Sequence, residues 1–293
     1  MQGSRDDVGP ALYLVSTPIG HLGDLTHRAA DVLGRVDVIY AEDTRRTRVL
    51  LRHYEVPTRC VSYREHNEAA RAAEARKWWA EGKSIALVAD AGTPLVSDPG
   101  LRLVRAAIDA GARVVPVPGP SAVLAALVAS GLEPEPFTYL GFLPRAGAAR
   151  AERLASLRSL PHSAVFFESP QRLARTLADL VEALGGARRV VVARELTKLH
   201  EEFFRGTLAE AAAYYGGRSV RGEVVVCLAG AEQTAAAVGG GGGEDSAADR
   251  AESLVRDGWT APEVTRALRE EFGMDRNRAY GLALEAQRRV RES

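Results

Sequence analysis

The sequence predicts an α/β protein: two α/β domains in series, followed by a small all-helical appendage. Three observations predict it. Short β-rich apolar runs alternate with helix-period patterns through the first part of the chain, the mark of a largely parallel sheet covered by helices. A proline-bearing break, Gly131 to Pro136, separates that part from a second one of different texture. A run of five glycines, Gly239 to Gly243, sets off a last stretch that carries helical period alone. The expected boundaries are a disordered tail over 1–10, an N-terminal α/β domain over 11–132 and a mixed α/β domain over 133–230. A glycine-rich linker over 231–248 and a helical tail over 249–293 complete the chain.

Strands are expected at Leu12 to Val15, Val36 to Ala41, around Cys60 to Tyr63, at Ile85 to Ala89 and at Val114 to Val117. Helices are expected between them at Thr26 to Leu33, Arg45 to Tyr54 and Asn67 to Glu81, then in LRLVRAAIDA and from Ser121. Beyond the break, FTYLGFL, SAVFFES, ARRVVVAREL, EEFFRGT and GEVVVCLAG read as strands close enough to be antiparallel neighbours, so the second sheet should be mixed. Its helices fall at Gln171 to Leu184 and Leu208 to Tyr215. The tail reads as Ala248 to Asp257, Pro262 to Phe272 and Arg276 to Arg291, with Thr260 as an N-cap and Gly273 as a stop. This outline fits a helix-turn-helix module and equally a helical cap packed on the body or on a partner.

With 293 residues and 46% hydrophobic content the chain has apolar surface for more than one core. Its longest apolar helical stretch, Ser121 to Leu132, is little more than half of a bilayer span, and the N-terminus lacks the order of a signal peptide. Two cysteines, Cys60 and Cys227, give neither a disulfide framework nor zinc spacing, so a soluble cytoplasmic protein is expected. The 38 basic and 38 acidic residues cancel. Local clusters of arginine remain at 45–52, 145–158 and 276–291, each a phosphate contact or merely a solvated face in an arginine-rich chain.

Familiar chemical motifs fail. TPIGHLGD is not a dinucleotide fingerprint, GKS at 82–84 lacks the upstream glycine of a phosphate loop, GPSAV at 119–123 lacks the last glycine of a nucleophile elbow, and six histidines show no metal-ligand pairing. What remains is four loops at strand ends: Ser16 to Asp24, Ala41 to Thr47, Asp90 to Gly100 and Val117 to Ala122. In a parallel sheet these share one rim and build one pocket, although any one alone also reads as a structural turn. The third, DAGTPLVSDPG, is stiff and open, with Asp90 and Asp98 to bind hydroxyls, amines or a cation. Ser121 caps a helix. A second set, GFLPR, FESPQR and RELTKLHEE, lies beyond the break, where Glu168 suits a cap or ion pair and Lys198 is one of only three lysines.

Taken together, LYLVSTPIGHLGDLT, AEDTRRTRVLL, DAGTPLVSDPG, VPGPSAVLAALVASGL, GFLPR, ESPQR and RELTKLHEEFFRGT resemble the tetrapyrrole-methylase superfamily. Within it they resemble the bacterial ribosomal RNA small-subunit methyltransferase I family, over residues 11 to 230. The resemblance implies a class III S-adenosylmethionine methyltransferase fold of two α/β domains with the donor in the cleft between them, usually as a homodimer. It implies 2′-O-methylation of a cytidine in the decoding region of 16S rRNA, with 16S rRNA or the small ribosomal subunit as partner and no metal or membrane. Carried over by motif, Asp90, Ala91, Gly92, Thr93, Pro94, Ser97, Asp98, Ser121, Ala122, Phe142 and Leu143 are the cofactor candidates. The AEDTR and RELTK strings offer Glu42, Asp43, Glu195 and Lys198 as catalytic candidates, the choice of proton acceptor being open. Thr44, Arg45, Arg46, Arg48 and Arg145 are the substrate-side candidates, the arginines for phosphates. One departure is His21, where the family pattern TPIGNL has asparagine. The rival readings are a precorrin-type C-methyltransferase, which predicts no arginine flanks and no helical tail, and a non-catalytic RNA-binding assembly factor, which predicts no donor binding.

Overall fold

The computed structural model describes residues 10–231, 243–272 and 275–292. The expected disordered tail, apart from its last residue, most of the glycine run and the stop at Gly273 lie outside the described residues. Contacts divide the chain into two compact units, Met1–Ala231 and Glu232–Ser293.

The first unit opens with β1 (Ala11–Val15), α1 (His27–Arg35), β2 (Val38–Ala41), α2 (Thr44–His53) and β3 (Cys60–Ser62). It continues with α3 (Glu68–Ala80), β4 (Ile85–Val88), α4 (Leu101–Asp109), β5 (Arg113–Val117) and α5 (Ala122–Val128). The five strands form one parallel sheet in the order β3-β2-β4-β1-β5. The strands are apolar on both faces because both faces are covered. Ala11, Tyr13, Val15, Ile39, Ala86 and Val88 pack against Ala29, Val32, Leu33, Leu50 and Leu51 of α1 and α2. Their alternates Leu12, Val38, Tyr40, Ile85 and Leu87 pack against Ala75, Trp79, Leu103 and Ala106 of α3 and α4.

The second sheet is mixed, as its texture predicts. Strands β6 (Phe137–Phe142), β7 (Ser163–Glu168), β8 (Arg189–Arg194), β9 (Glu202–Thr207) and β10 (Val224–Leu228) lie in the order β6-β7-β10-β8-β9. Only β6 and β7 are parallel. One face is covered by α6 (Gly147–Arg158), α7 (Pro170–Leu184) and α8 (Leu208–Tyr215), which close over Phe166, Val190, Val192 and Val226. The other face, with Val165, Val191, Val225 and Cys227, packs on Val123, Ala126 and Leu127 of α5 and on Ile19, so α5 and the loop after β1 share a core with the second sheet. Helix α6 has no counterpart among the sequence expectations. Both cysteines are free, and among the described residues no helix is long and apolar enough to cross a membrane.

The second unit is α9 (Gly243–Arg256), α10 (Ala261–Phe272) and α11 (Arg276–Glu292) around Ala251, Leu254, Val264, Leu268, Leu282 and Ala283. Thr260 donates both its amide and its hydroxyl to the Glu263 carboxylate at the start of α10, and Asp275 accepts the Asn277 and Arg278 amides at the start of α11. Helix α9 begins at Gly243, inside the stretch expected to be linker.

Candidate active site

The four loops leave the carboxyl ends of β1, β2, β4 and β5 and meet on one rim. Thr17 and Gly92 exchange backbone hydrogen bonds at 2.9 and 3.0 Å, tying the first loop to the third, with Gly92 in the left-handed region at φ 82°. Thr93 Oγ1 accepts from Ser16 Oγ at 3.2 Å and donates to the Pro120 carbonyl at 3.2 Å, which joins the fourth loop. Asp90 Oδ1 accepts the Asp43 amide at 2.8 Å, which joins the second. Leu95 and Ser97 are held at φ 71° and 68° without being glycine, a conformation that costs about 1 kcal/mol each. Ser97 is fixed there by a 2.7 Å hydrogen bond between its hydroxyl and Tyr139 of β6. A Cβ on Gly141 would stand 3.5 Å from Ser97 Oγ, so β6 runs close to the loop here.

Between these loops and the second sheet lies a cavity of about 430 Å³, within the size range of small-molecule sites. The cofactor candidates Asp90, Ala91, Gly92, Thr93, Ser97, Asp98, Ser121, Ala122 and Phe142 line it, as do Glu42 and Arg46. Phe167 stands edge-on to Phe142 at 5.5 Å and supplies an aromatic wall. Of the five carboxylates that line the cavity, Glu42, Asp90 and Asp98 act on one another. Asp98 is pushed up to about 7, first by burial and then by the charges of Glu42 and Asp90, and shares a side-chain hydrogen bond with Glu42. Glu42 is also raised, by burial and then by Asp90, against the lowering effects of Arg64 and Arg46. A small molecule with positive charge and a flat apolar part is the ligand such a cavity suits.

A second cavity of about 270 Å³ adjoins the first, sharing Ile19, Arg46, Asp90, Ala91 and Glu223, and Lys198 opens onto it. Lys198 Nζ donates to Glu195 at 2.7 Å and to Glu223 at 3.2 Å. Burial lowers the Lys198 pKa, but the hydrogen bonds and charges of Glu195 and Glu223 outweigh it and the net shift is upward. Glu195 is correspondingly lowered, chiefly by the Lys198 hydrogen bond, and lines neither cavity. Gly20 is where only glycine fits, since a Cβ would stand 2.5 Å from Lys198 Cγ.

The remaining candidates are placed elsewhere. Asp43 caps α2, accepts from Arg45 Nη2 at 2.8 Å and is held well below the usual carboxylate range by that side chain. Thr44 is the first residue of α2, Pro94 and Leu143 are buried, and Arg145 is exposed; none of these four lines either cavity. Leu143 belongs to the core under α6 and α7. Ser121 accepts the Leu124 amide as the cap of α5. Glu168, which borders the cavity, is saturated by the Ser169 amide, the Thr176 hydroxyl and Arg172, a structural role. His21 lines neither cavity; its Nδ1 accepts the Gly23 amide at 3.1 Å, closing the turn as an asparagine side chain would. The motif reading missed Glu223 and Phe167. Phe167 falls inside the string FESPQR but carried no assigned role, whereas Glu223 is brought in only by antiparallel pairing of β8 with β10.

The family model for Tetrapyrrole (Corrin/Porphyrin) Methylases matches residues 11–212. The ribosomal RNA small subunit methyltransferase I of Mesorhizobium japonicum is 51% identical over 224 residues, 76% of each chain. That of Synechocystis is 43% identical over 94% of this chain and 97% of its own, and that of Bacillus subtilis 40% identical over 94% of both. Among solved structures, uroporphyrin-III C-methyl transferase from Thermus thermophilus complexed with S-adenyl homocysteine superposes with a TM-score of 0.56 at 19% identity. It covers 76% of this chain and 99% of that one. A diphthine synthase gives 0.57 at 15% identity over 75% and 92%. The structures speak to the fold, and the sequences to the family.

Proposed function

Because the chain belongs to the tetrapyrrole methylase family and, within it, to the ribosomal RNA small subunit methyltransferase I group, we propose that it is an S-adenosylmethionine-dependent rRNA methyltransferase acting on the 2′-oxygen of a cytidine in the decoding region of 16S rRNA. The observation that carries the reading is the near end-to-end match to those relatives. The cleft supports it. Three carboxylates and an aromatic wall suit a sulfonium and ammonium attached to a nucleoside, and Arg46 stands at the border of both cavities for a polyanion. A precorrin C-methyltransferase is the poorer fit, since it requires neither arginine flanks nor a helical tail.

Bound in this cleft, S-adenosylmethionine supplies an electrophilic methyl carbon whose leaving group is a neutral thioether. The chain's part is positioning. The stitched loops from Asp90 to Asp98 and at Ser121 and Ala122 hold the donor side rigid, and Phe142 closes it from the second sheet, which keeps water out of an in-line displacement. As the new C–O bond forms, the 2′-hydroxyl must lose its proton. Asp43 is a helix cap bound to Arg45, Glu195 is bound to Lys198, and Lys198 is held protonated. That leaves Glu42, in the cavity and hydrogen-bonded to Asp98, as the proton acceptor. In this reading 11–132 and 133–230 act as two domains around the cleft, Arg45, Arg46 and Arg48 hold phosphates, and the protein works as a cytoplasmic homodimer.

One assay tests the whole reading. Purified protein is incubated with labelled donor and, separately, unmethylated small subunits, naked 16S rRNA and a precorrin, and the label is mapped. Label on the ribose of a decoding-region cytidine is expected, and the RNA form that acquires it is the substrate. Label on the precorrin alone would overturn the choice, and no calorimetric binding of S-adenosylmethionine would remove the methyltransferase reading altogether.

A further inference from the structure

Helix α2 carries its arginines on two faces. Arg46 reaches toward Asp90 at 3.9 Å and borders the cleft. Arg45, Arg48 and Arg52, spaced i, i+3 and i+7, share a different face. With Arg59, on the approach to β3, they line a separate groove of about 570 Å³ that has no lining residue in common with either cavity of the cleft. The groove stands on a fixed frame: the Val56 amide donates to Leu51 O at 2.8 Å, Thr58 Oγ1 to Leu33 O at 2.6 Å, and the Ile39 amide to Arg59 O at 2.8 Å.

No carboxylate lines this groove. Arg45 is paired with Asp43, but among the described residues Arg48, Arg52 and Arg59 have no acidic partner. The Cys60 thiol at the wall is pushed up to about 11 by burial, so guanidiniums are the only ionised groups there near neutral pH. Arg48, Arg52 and Arg59 turn three uncompensated like charges into one concavity, and these repel each other unless an anion is held between them. The row on α2 runs roughly 10 Å along the helix axis, long enough for more than one phosphate.

We propose that this groove is a second RNA-binding surface, gripping the phosphodiester backbone of nucleotides that flank the one entering the cleft. The proposal rests on the rRNA methyltransferase reading. A row of exposed guanidiniums matches phosphate oxygens, and such backbone contacts position a strand without selecting its sequence. Arg45, at the start of α2, is adjacent to Arg46 at the cleft, so a strand held in the groove is delivered along the helix that borders the reaction site.

The test is the full chain carrying Arg52→Gln and Arg59→Gln together, both exposed and remote from the donor cavity. Affinity for a decoding-region RNA oligonucleotide and for unmethylated small subunits is measured across a salt series, with S-adenosylmethionine calorimetry as the control for folding. The expected result is donor affinity as in the parent, RNA affinity at least about tenfold weaker at 0.1 M salt, and a salt slope smaller by about 1.5 to 2. Arg52→Lys with Arg59→Lys should restore most of that slope. Unchanged RNA affinity and slope overturn the groove while leaving the function standing. Weakened binding to subunits with unchanged binding to naked RNA overturns it in favour of an acidic protein partner. Failure of the parent itself to bind or methylate RNA is the separate failure of the functional reading.

Discussion

Glu42 and Asp43 are neighbours with opposite fates. At the end of β2 the chain turns into α2, so consecutive side chains diverge: Asp43 folds back on the helix amides and Arg45, and Glu42 enters the cavity beside Asp98. Asp98 keeps its proton up to about 7, whereas in the unfolded chain it ionises near 3.8. Between those values folding takes up a proton, so the contribution of Asp98 is fully present below about 3.8 and is lost as pH rises through 7. Asp98→Asn removes a carboxylate that is expensive to ionise. The variant should be more stable than the parent by about 1–2 kcal/mol at pH 8, less than the full linkage value because Asp98 keeps some solvent contact, with the gap closing by about pH 4. Urea denaturation at several pH values checks this, and a gap that widens toward acid contradicts it. Methylation should fall. AEDTR is visible in the sequence as a carboxylate motif, but a strand-to-helix junction decides which carboxylate faces the ligand, and that is not written in residue types. His21 is the converse case: an apparent departure that keeps its turn-closing hydrogen bond.

Among the elements, the strands and rim loops were legible because β-rich apolar runs punctuated by glycine and proline have few alternative structures. Helix α6 was not. Its buried positions are Arg150, Leu154 and Leu157, so an arginine stands where an apolar residue would reveal the period. Arg150 is 6% exposed and donates to Asp179 at 2.7 and 2.9 Å, to Thr176 at 3.1 Å and to the Pro144 carbonyl at 2.9 Å. It pins α6 and the end of the β6 loop onto α7, and Thr176 in turn donates to Glu168 at the cavity wall. Arg150→Met keeps much of the volume but leaves Asp179 without its partner and the Pro144 carbonyl with only the longer 3.4 Å bond from Arg172. It should cost about 2–4 kcal/mol. Thermal denaturation measures the loss, and restoration of stability by adding Asp179→Leu to the same chain would show that the stranded carboxylate, rather than lost packing, is the cause. A change under about 0.5 kcal/mol would mean that α6 is held by Leu154 and Leu157 alone.

At the scale of the whole molecule the equal numbers of basic and acidic residues conceal an organised distribution, with guanidiniums on α2 and carboxylates inside the cleft. The two units are also separately built. The four core clusters of the first draw only on residues between 11 and 229, and both cavities are lined by residues between 17 and 225. The helical unit closes its own core around Leu254, Val264, Leu268 and Leu282. A chain ending at Ala231 should therefore unfold cooperatively and bind S-adenosylmethionine with parental affinity, because no donor-side residue or core contact of that unit is removed. If the tail docks rRNA, the same chain should methylate subunits with kcat nearly unchanged and KM raised about tenfold, the loss expected when one of two tethered binding modules is removed. Parental KM would make the tail dispensable for docking. A fall in kcat at saturating RNA with donor affinity intact would place the tail in assembling the reactive complex rather than in capturing the substrate, since only interactions gained in the transition state act on kcat.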